Sequence, residues 1–316
     1  MINSTAGPSS SPVSKSDEDF SSRGLITALI NPMRDKEIDL PALERLVDWQ
    51  IESGVDGLVV CGTTGETPTL SDEEIEAIIT CVVKKTAGQV PVIAGTGSNN
   101  TARAISLTQM AAECGANATL QVVPFYNKPP QRSMVAHFEA VANQSALPIM
   151  LYNVPGRTQV NMSAETVAAL AKHPRIYAIK EASADIDRYM DIIAACGSGI
   201  KQGPDRIEVL SGDDSYIMPM ITMGGDGLVS VCANVVPGPM AKLVKAVMSG
   251  DMKTATRIHY QLLPLMRALF TDTNPIPIKY AMKKIGYGDG SLRLPLVPAT
   301  DELKPIIDAA MQSVEK

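Results

Sequence analysis

Residues 57–95 read GLVVCGTTGETPTLSDEEIEAIITCVVKKTAGQVPVIAG. The stretch opens on a short uncharged run, Gly57-Leu58-Val59-Val60, and passes through a polar loop to Ser71-Asp72-Glu73-Glu74. That tetrad is a capping box: Ser71 caps a helix start, and Glu74 at the third helical position reaches back to it. Apolar residues at helical spacing run on to Lys84-Lys85, and Gly88 marks a stop before the next run, Pro91-Val92-Ile93-Ala94-Gly95. The unit is strand, loop, helix, strand.

It recurs on both sides. Runs of strand length begin near Leu25 (LITALI), Gly57 (GLVV), Pro91 (PVIAG), Ala118 (ATLQVV), Pro148 (PIMLY), Ile176 (IYAIK), Arg206 (RIEVLS) and Gly227 (GLVSV). Helical patterns lie between them, with Thr101 and Ser163 as further candidate caps and Gly54, Gly115, Gly197, Gly224 and Gly250 as candidate stops. The runs are nearly continuous in apolar residues, as parallel strands buried on both faces should be. Eight units over about 225 residues predict an α/β fold of the (β/α)8 TIM-barrel type, whose usual span is about 250. An open doubly wound sheet would place a glycine-rich phosphate loop after the first strand, where this chain has Asn31-Pro32-Met33. Gly95-Thr96-Gly97-Ser98-Asn99-Asn100 lacks the final glycine of a dinucleotide fingerprint and follows the third run, so it is discounted. Three regions result. Residues 1–22 are serine-rich and acidic, expected to be a disordered tail; 23–250 form the barrel; 251–316 read as a C-terminal helical extension with no chemical motif.

Composition narrows the function. The 316 residues are 45% hydrophobic and 20% charged with a net charge of −6, and no Lys or Arg run exceeds two residues. Nucleic acid and anionic membranes are therefore not expected as partners. No apolar stretch reaches the roughly 18 residues of a membrane span. The N-terminal residues lack the apolar stretch of a secretory signal and carry acids that organelle transit peptides avoid. Five scattered cysteines and three histidines (His137, His173, His259) give no metal or haem spacing, so the expectation is reduced thiols, a cytoplasmic setting and no metal or cofactor.

A TIM barrel carries its chemistry on the loops after its strands. The second run ends in Gly62-Thr63-Thr64-Gly65-Glu66, the fourth in Pro124-Phe125-Tyr126-Asn127, and the fifth in Tyr152-Asn153-Val154-Pro155-Gly156-Arg157-Thr158. The sixth ends in Lys180, the seventh in Ser211-Gly212-Asp213-Asp214 and the eighth in Val229-Ser230. A lysine at a strand end costs stability unless it is paired, reaches solvent or works as a nucleophile. An amine that forms a Schiff base with a keto acid needs a proton shuttle to dehydrate the carbinolamine and to make the enamine. Tyr152, Thr63 and Tyr126 have hydroxyls that donate and accept, so they are relay candidates. Donors at Gly62–Thr64 suit a carboxylate, and Arg157 offers a fork to a second. Plain readings stand beside these: a tight turn at Thr63-Thr64, core rings at Tyr126 and Tyr152, a surface ion pair for Arg157, and helix-start acids at Glu66 and Asp213.

The combination GTTGE (62–66), PVIAGTGSN (91–99), PFYNKP (124–129), YNVPGRT (152–158), IKEAS (179–183), LSGDD (210–214) and NPIPIKYA (274–281) resembles the dihydrodipicolinate synthases, from about Gly24 to the C-terminal helices. The resemblance implies condensation of pyruvate with aspartate-4-semialdehyde, the first committed step of diaminopimelate and lysine biosynthesis. It makes Lys180 the Schiff-base lysine and Tyr152 the acid/base, linked through Thr63 to a Tyr126 that reaches in from a neighbouring subunit. It gives Thr64 the pyruvate carboxylate and Arg157 the semialdehyde carboxylate, with the carbonyls of Gly212 and Val229 facing the site. It also implies a homotetramer built as a dimer of dimers. A sister pyruvate lyase acting on N-acetylneuraminate or a keto-deoxy sugar acid is the alternative, against which Arg157 after YNVPG argues; a non-catalytic binding barrel ranks last. One departure matters. Where lysine-inhibited members carry a histidine, a glutamate and a tyrosine for the effector, this chain has Ile75, Arg103 and Phe125, with Asn99 kept. Weak or absent lysine inhibition is expected.

Overall fold

The computed structural model describes residues 20–200, 203 and 205–314. Eight parallel strands close into a barrel. They are β1 (Gly24–Ala28), β2 (Gly57–Val60), β3 (Val92–Gly95), β4 (Ala118–Val122), β5 (Ile149–Asn153), β6 (Ile176–Glu181), β7 (Glu208–Ser211) and β8 (Gly227–Ser230). Each falls on one of the eight apolar runs. Sequential strands are neighbours, and β1 closes the ring by pairing Leu25 with Leu228 and Ile26 with Val229. Nearly every strand residue is buried, because one face fills the barrel and the other meets the helices. The inner layer includes Ile26, Val59, Ile93, Leu120, Met150, Ala178, Leu210 and Val229.

The outer ring is α1 (Leu40–Glu52), α2 (Asp72–Thr86), α3 (Thr101–Glu113), α4 (Gln131–Asn143), α5 (Ala164–Leu170), α6 (Ile186–Cys196), α7 (Ile217–Thr222) and α8 (Pro237–Met248). In α2 the capping box forms in both directions, acids fill the first turn and Lys84 and Lys85 the last, each end matched to the helix dipole. Its buried stripe is Ile75, Ile78, Ile79 and Val82. The helix stops at Thr86, two residues before Gly88, with Ala87 as its cap in the left-handed conformation at φ 47°. Ser163 caps α5 as expected. The cap of α3 is Asn100 rather than Thr101: the Asn100 carboxamide accepts from the N–H groups of Ala102 and Arg103, and Thr101 is the first helical residue.

Helices α9 (Met252–Ala268), α10 (Ile276–Lys284) and α11 (Lys304–Val314) follow the barrel. Leu262, Leu265 and Met266 of α9 share a core with Leu243, Val244 and Val247 of α8. Most of the tail expected over 1–22 lies outside the described residues. Its last three residues are docked: Phe20 meets the Tyr177 ring edge-on at 5.0 Å, and Glu208 accepts from Ser21 Oγ at 2.5 Å and from the N–H of Ser22 at 2.9 Å. These contacts close the barrel floor, opposite the rim where the candidate residues gather. Burial raises the Glu208 carboxyl above its ordinary pKa, with these hydrogen bonds opposing.

Candidate active site

Tyr152 and Lys180 are register partners on adjacent strands, β5 and β6. Side chains of register partners lie on one face of a sheet, and here both turn into the barrel. Lys180 Nζ sits 4.4 Å from the centroid of the Tyr152 ring, and the two residues are 6% and 7% exposed. The ring gives Nζ a cation–π partner, and among the described residues no carboxylate pairs with it. Gly212 completes this corner. Its N–H donates to Glu181 O at 2.7 Å, and a Cβ added there would stand 2.9 Å from Lys180 Cε and 2.7 Å from Ala182 Cβ. A larger residue there would push on both the Ala182 methyl group and the end of the lysine stem. Val229 lies fully buried in β8.

Thr63 and Thr64 belong to a 3-10 turn (Thr63–Gly65) directly after β2, followed by a second (Thr67–Thr69). Between the turns Glu66 takes a left-handed conformation at φ 56°. The tight-turn reading of this loop is therefore correct as geometry, and it does not exclude a site: the first N–H groups of such a turn have no acceptor within it. The loop is tied down from several sides. Thr67 Oγ1 donates to Gly62 O at 2.8 Å and Asn31 Nδ2 to Gly65 O at 2.6 Å. Glu66 stands at the N-cap position of the second turn, but its carboxylate makes no capping bond. It is buried and paired with Lys279 of α10 at 2.7 Å, while Lys279 also donates to Asn31 O at 2.9 Å and the Arg293 N–H to Glu66 Oε2 at 3.1 Å. Burial pulls the Lys279 pKa below its ordinary value, opposed by the Glu66 charge. The C-terminal extension, though its sequence carries no chemical motif, thus supplies the cation that anchors the loop.

It supplies a second contact. Thr64 is buried, and its hydroxyl oxygen accepts from Asn274 Nδ2 at 3.1 Å. The Asn274 carbonyl in turn accepts from Arg157 Nη2 at 3.0 Å, so Arg157, on the one-turn helix Pro155–Thr158, has a backbone partner rather than a surface acid. Tyr126 stands apart: it is 89% exposed and holds a left-handed φ of 70°, uncommon for a bulky side chain.

The neighbouring carboxylates are structural. Glu181 accepts from Asn153 Nδ2, the Ser183 N–H and Arg188 Nε. Asp213 caps a 3-10 turn, as a helix-start acid does. Asp214 accepts from Ser230 Oγ at 2.5 Å and from the N–H groups of Val231 and Cys232, fixing the chain just past β8. Burial lifts its pKa to about 6 against those bonds. Gly95 and Gly97 serve packing: a Cβ would lie 2.1 Å from Cys61 O in the first case and 2.3 Å from Val122 N in the second. Among the described residues no cluster of three His, Cys, Asp or Glu is placed to hold a metal, and no helix is long and apolar enough to cross a membrane.

Ile75 is buried, Phe125 is 39% exposed, and Arg103 pairs with Asp72, its Nη1 lying 2.6 Å from Asp72 Oδ2. No effector-type acid faces this group of residues from position 103.

Comparison with known proteins fits this architecture. The profile of the Dihydrodipicolinate synthetase family matches residues 21–314. The 4-hydroxy-tetrahydrodipicolinate synthase of Maridesulfovibrio salexigens is 44% identical over 292 residues, covering 92% of this chain and 98% of its own. The crystal structure of dihydrodipicolinate synthase from Aquifex aeolicus is 41% identical, covers 93% of this chain and 98% of its own, and superposes with a TM-score of 0.89. The enzyme from Cyanidioschyzon merolae, solved with lysine bound, is 40% identical over 93% of this chain and 98% of its own, with a TM-score of 0.88. The matched span holds the whole barrel, its rim loops and the C-terminal helices, and the chain belongs to the dihydrodipicolinate synthetase family.

Proposed function

We propose that this chain condenses pyruvate with L-aspartate-4-semialdehyde through a Schiff base on Lys180, giving 4-hydroxy-tetrahydrodipicolinate, the first committed step of diaminopimelate and lysine biosynthesis. The observation that carries the reading is the Lys180–Tyr152 pair, an amine 4.4 Å over a phenol ring on adjacent strands of the catalytic rim. The Lys180 amine attacks the keto carbon of pyruvate. The carbinolamine loses its hydroxyl as water, with Tyr152 supplying the proton, and an imine results. Tyr152 then removes a proton from the methyl carbon, and the enamine adds to the aldehyde carbon. The semialdehyde amine displaces Lys180 from the imine carbon, which closes the ring and frees the enzyme. No external cofactor enters these steps.

Thr64 holds the pyruvate carboxylate and Arg157 the semialdehyde carboxylate, with the Gly212 and Val229 carbonyls facing the substrates. Thr63 relays protons between Tyr152 and Tyr126 of a neighbouring subunit. The exposure and left-handed backbone of Tyr126 support that assignment, because a protruding aromatic in a strained conformation needs a reason outside its own fold. The same tyrosine supports a second subunit at the site, and the family resemblance adds the tetramer of two tight dimers. All five cysteines are free, which supports a cytoplasmic setting. Lysine inhibition is weak or absent: Ile75 and Phe125 offer no side-chain hydrogen bond, and Arg103 repels an ammonium group.

The test is condensation of the two substrates, coupled to dihydrodipicolinate reductase and followed by NADPH loss. Lys180→Ala abolishes turnover, and Tyr152→Phe lowers kcat by about 100-fold or more, the usual worth of a general acid/base. Full turnover in Lys180→Ala overturns the mechanism.

A further inference from the structure

The link between the C-terminal segment and Thr64 is more specific than packing. Asn274 is 5% exposed and lies between α9 and α10, 210 residues from Thr64 in the chain. Its Nδ2 donates to Thr64 Oγ1 at 3.1 Å, and its Oδ1 is buried without a partner among the described residues. The bond to Thr64 is thus the one hydrogen bond this carboxamide makes among them. A hydroxyl has one proton and two acceptor sites. An amide donor occupying one of those sites leaves the proton as the group that Thr64 presents elsewhere. A carboxylate ligand has no proton to give and needs that donor.

We infer that Asn274 is a positioning residue: its amide turns the Thr64 hydroxyl into a fixed donor toward the carboxylate of the keto-acid substrate. The inference rests on the proposed role of Thr64 at the pyruvate carboxylate. The same residue steadies Arg157, through its backbone carbonyl and not its side chain. Substitution of the Asn274 side chain therefore reaches one substrate's anchor and spares the other's, and this asymmetry is the signature of the arrangement.

The experiment compares Asn274→Ala, Asn274→Asp and Thr64→Val in steady-state kinetics with each substrate varied, alongside a thermal melt. Asn274→Ala raises KM for pyruvate about threefold to tenfold, the weight of one neutral hydrogen bond, while kcat and KM for the semialdehyde stay within about twofold. Asn274→Asp raises it further, because a carboxylate only accepts and draws the Thr64 proton away from the ligand. A lower melting temperature and kcat with an unchanged pyruvate KM in Asn274→Ala mean a structural role and overturn the inference. So does an Asn274→Asp enzyme with wild-type pyruvate KM, which would show Thr64 donating to residue 274. If Thr64→Val raises pyruvate KM and both Asn274 variants do not, the inference fails while the role of Thr64 stands. If Thr64→Val itself leaves pyruvate KM unchanged, the reading of Thr64 fails and the inference goes with it.

Discussion

Replacing Lys279 by methionine should be among the most damaging single changes in the chain, although the residue lies outside the barrel. Its side chain and that of Glu66 are 2% and 1% exposed, and they meet at 2.7 Å. Methionine fills much of the lysine stem's volume, so the change isolates the charge. Glu66 would then be left buried, its remaining partner among the described residues the Arg293 N–H. Removing one member of a buried ion pair costs about 3–5 kcal/mol, mostly from the charge stranded behind. At about 2–4 °C per kcal/mol, the figure for domains of 150–250 residues, the melting temperature should fall by roughly 6–20 °C at fixed protein concentration. Adding Glu66→Gln removes the stranded charge and should restore at least half of the loss. Because Glu66 sits two residues from Thr64, Lys279→Met should also raise KM for pyruvate, and the double variant should recover part of it. A loss below about 1 kcal/mol in the single variant, the range of an exposed pair, would mean that Glu66 does not need the lysine charge. A double variant less stable than the single one would mean the same.

Other outcomes follow from the same geometry. Gly212→Ala sets a methyl group 2.9 Å from Lys180 Cε, so kcat should fall by about tenfold or more, with stability down by about 1–3 kcal/mol; an unchanged kcat would mean that the lysine stem does not need this gap. The Asp214 pKa is raised from 3.8 to about 6, so the protonated form is favoured by folding. Its contribution is complete below the unfolded pKa and is lost as pH rises through about 6, an amount of about 3 kcal/mol. The stability of wild type minus that of Asp214→Asn, from urea titrations at pH 4 to 7, should therefore fall as pH rises; a rise would contradict the assignment. Micromolar lysine should leave the condensation rate unchanged, and strong inhibition there would contradict the reading of Ile75, Arg103 and Phe125. Tyr126→Phe should lower kcat with oligomeric state unaltered in sedimentation, whereas full activity would remove Tyr126 from the relay.

The barrel was legible because its physics is local and repeated. Strands buried on two faces read as continuous apolar runs, and the capping box at Ser71 and Glu74 marks a helix start with four residues. Lys180 was legible for a related reason: a charge closing an apolar run stands out against the burial around it. The anchoring of the rim was not. Glu66 and Lys279 are 213 residues apart, and each has an ordinary local reading, an acid near a helix start and a lysine on an amphipathic helix. One signal was present. Lys279 follows Ile276-Pro277-Ile278 and precedes Ala281-Met282, so it occupies the buried face of α10, where a cation requires an acid. Asn274 carried no such sign, since an asparagine before proline is ordinary turn chemistry. Phe20-Ser21-Ser22 shared the composition of the residues before them, and only the Tyr177 ring and Glu208, far along the chain, distinguish them.

Lys180 is the proposed point of covalent attachment for pyruvate, and borohydride reduction of the enzyme with pyruvate, followed by peptide mass spectrometry, locates that bond. A reduced pyruvate adduct is expected on the peptide bearing Lys180, and none in Lys180→Ala. An adduct on another lysine, or an active enzyme that traps no pyruvate, would rule Lys180 out.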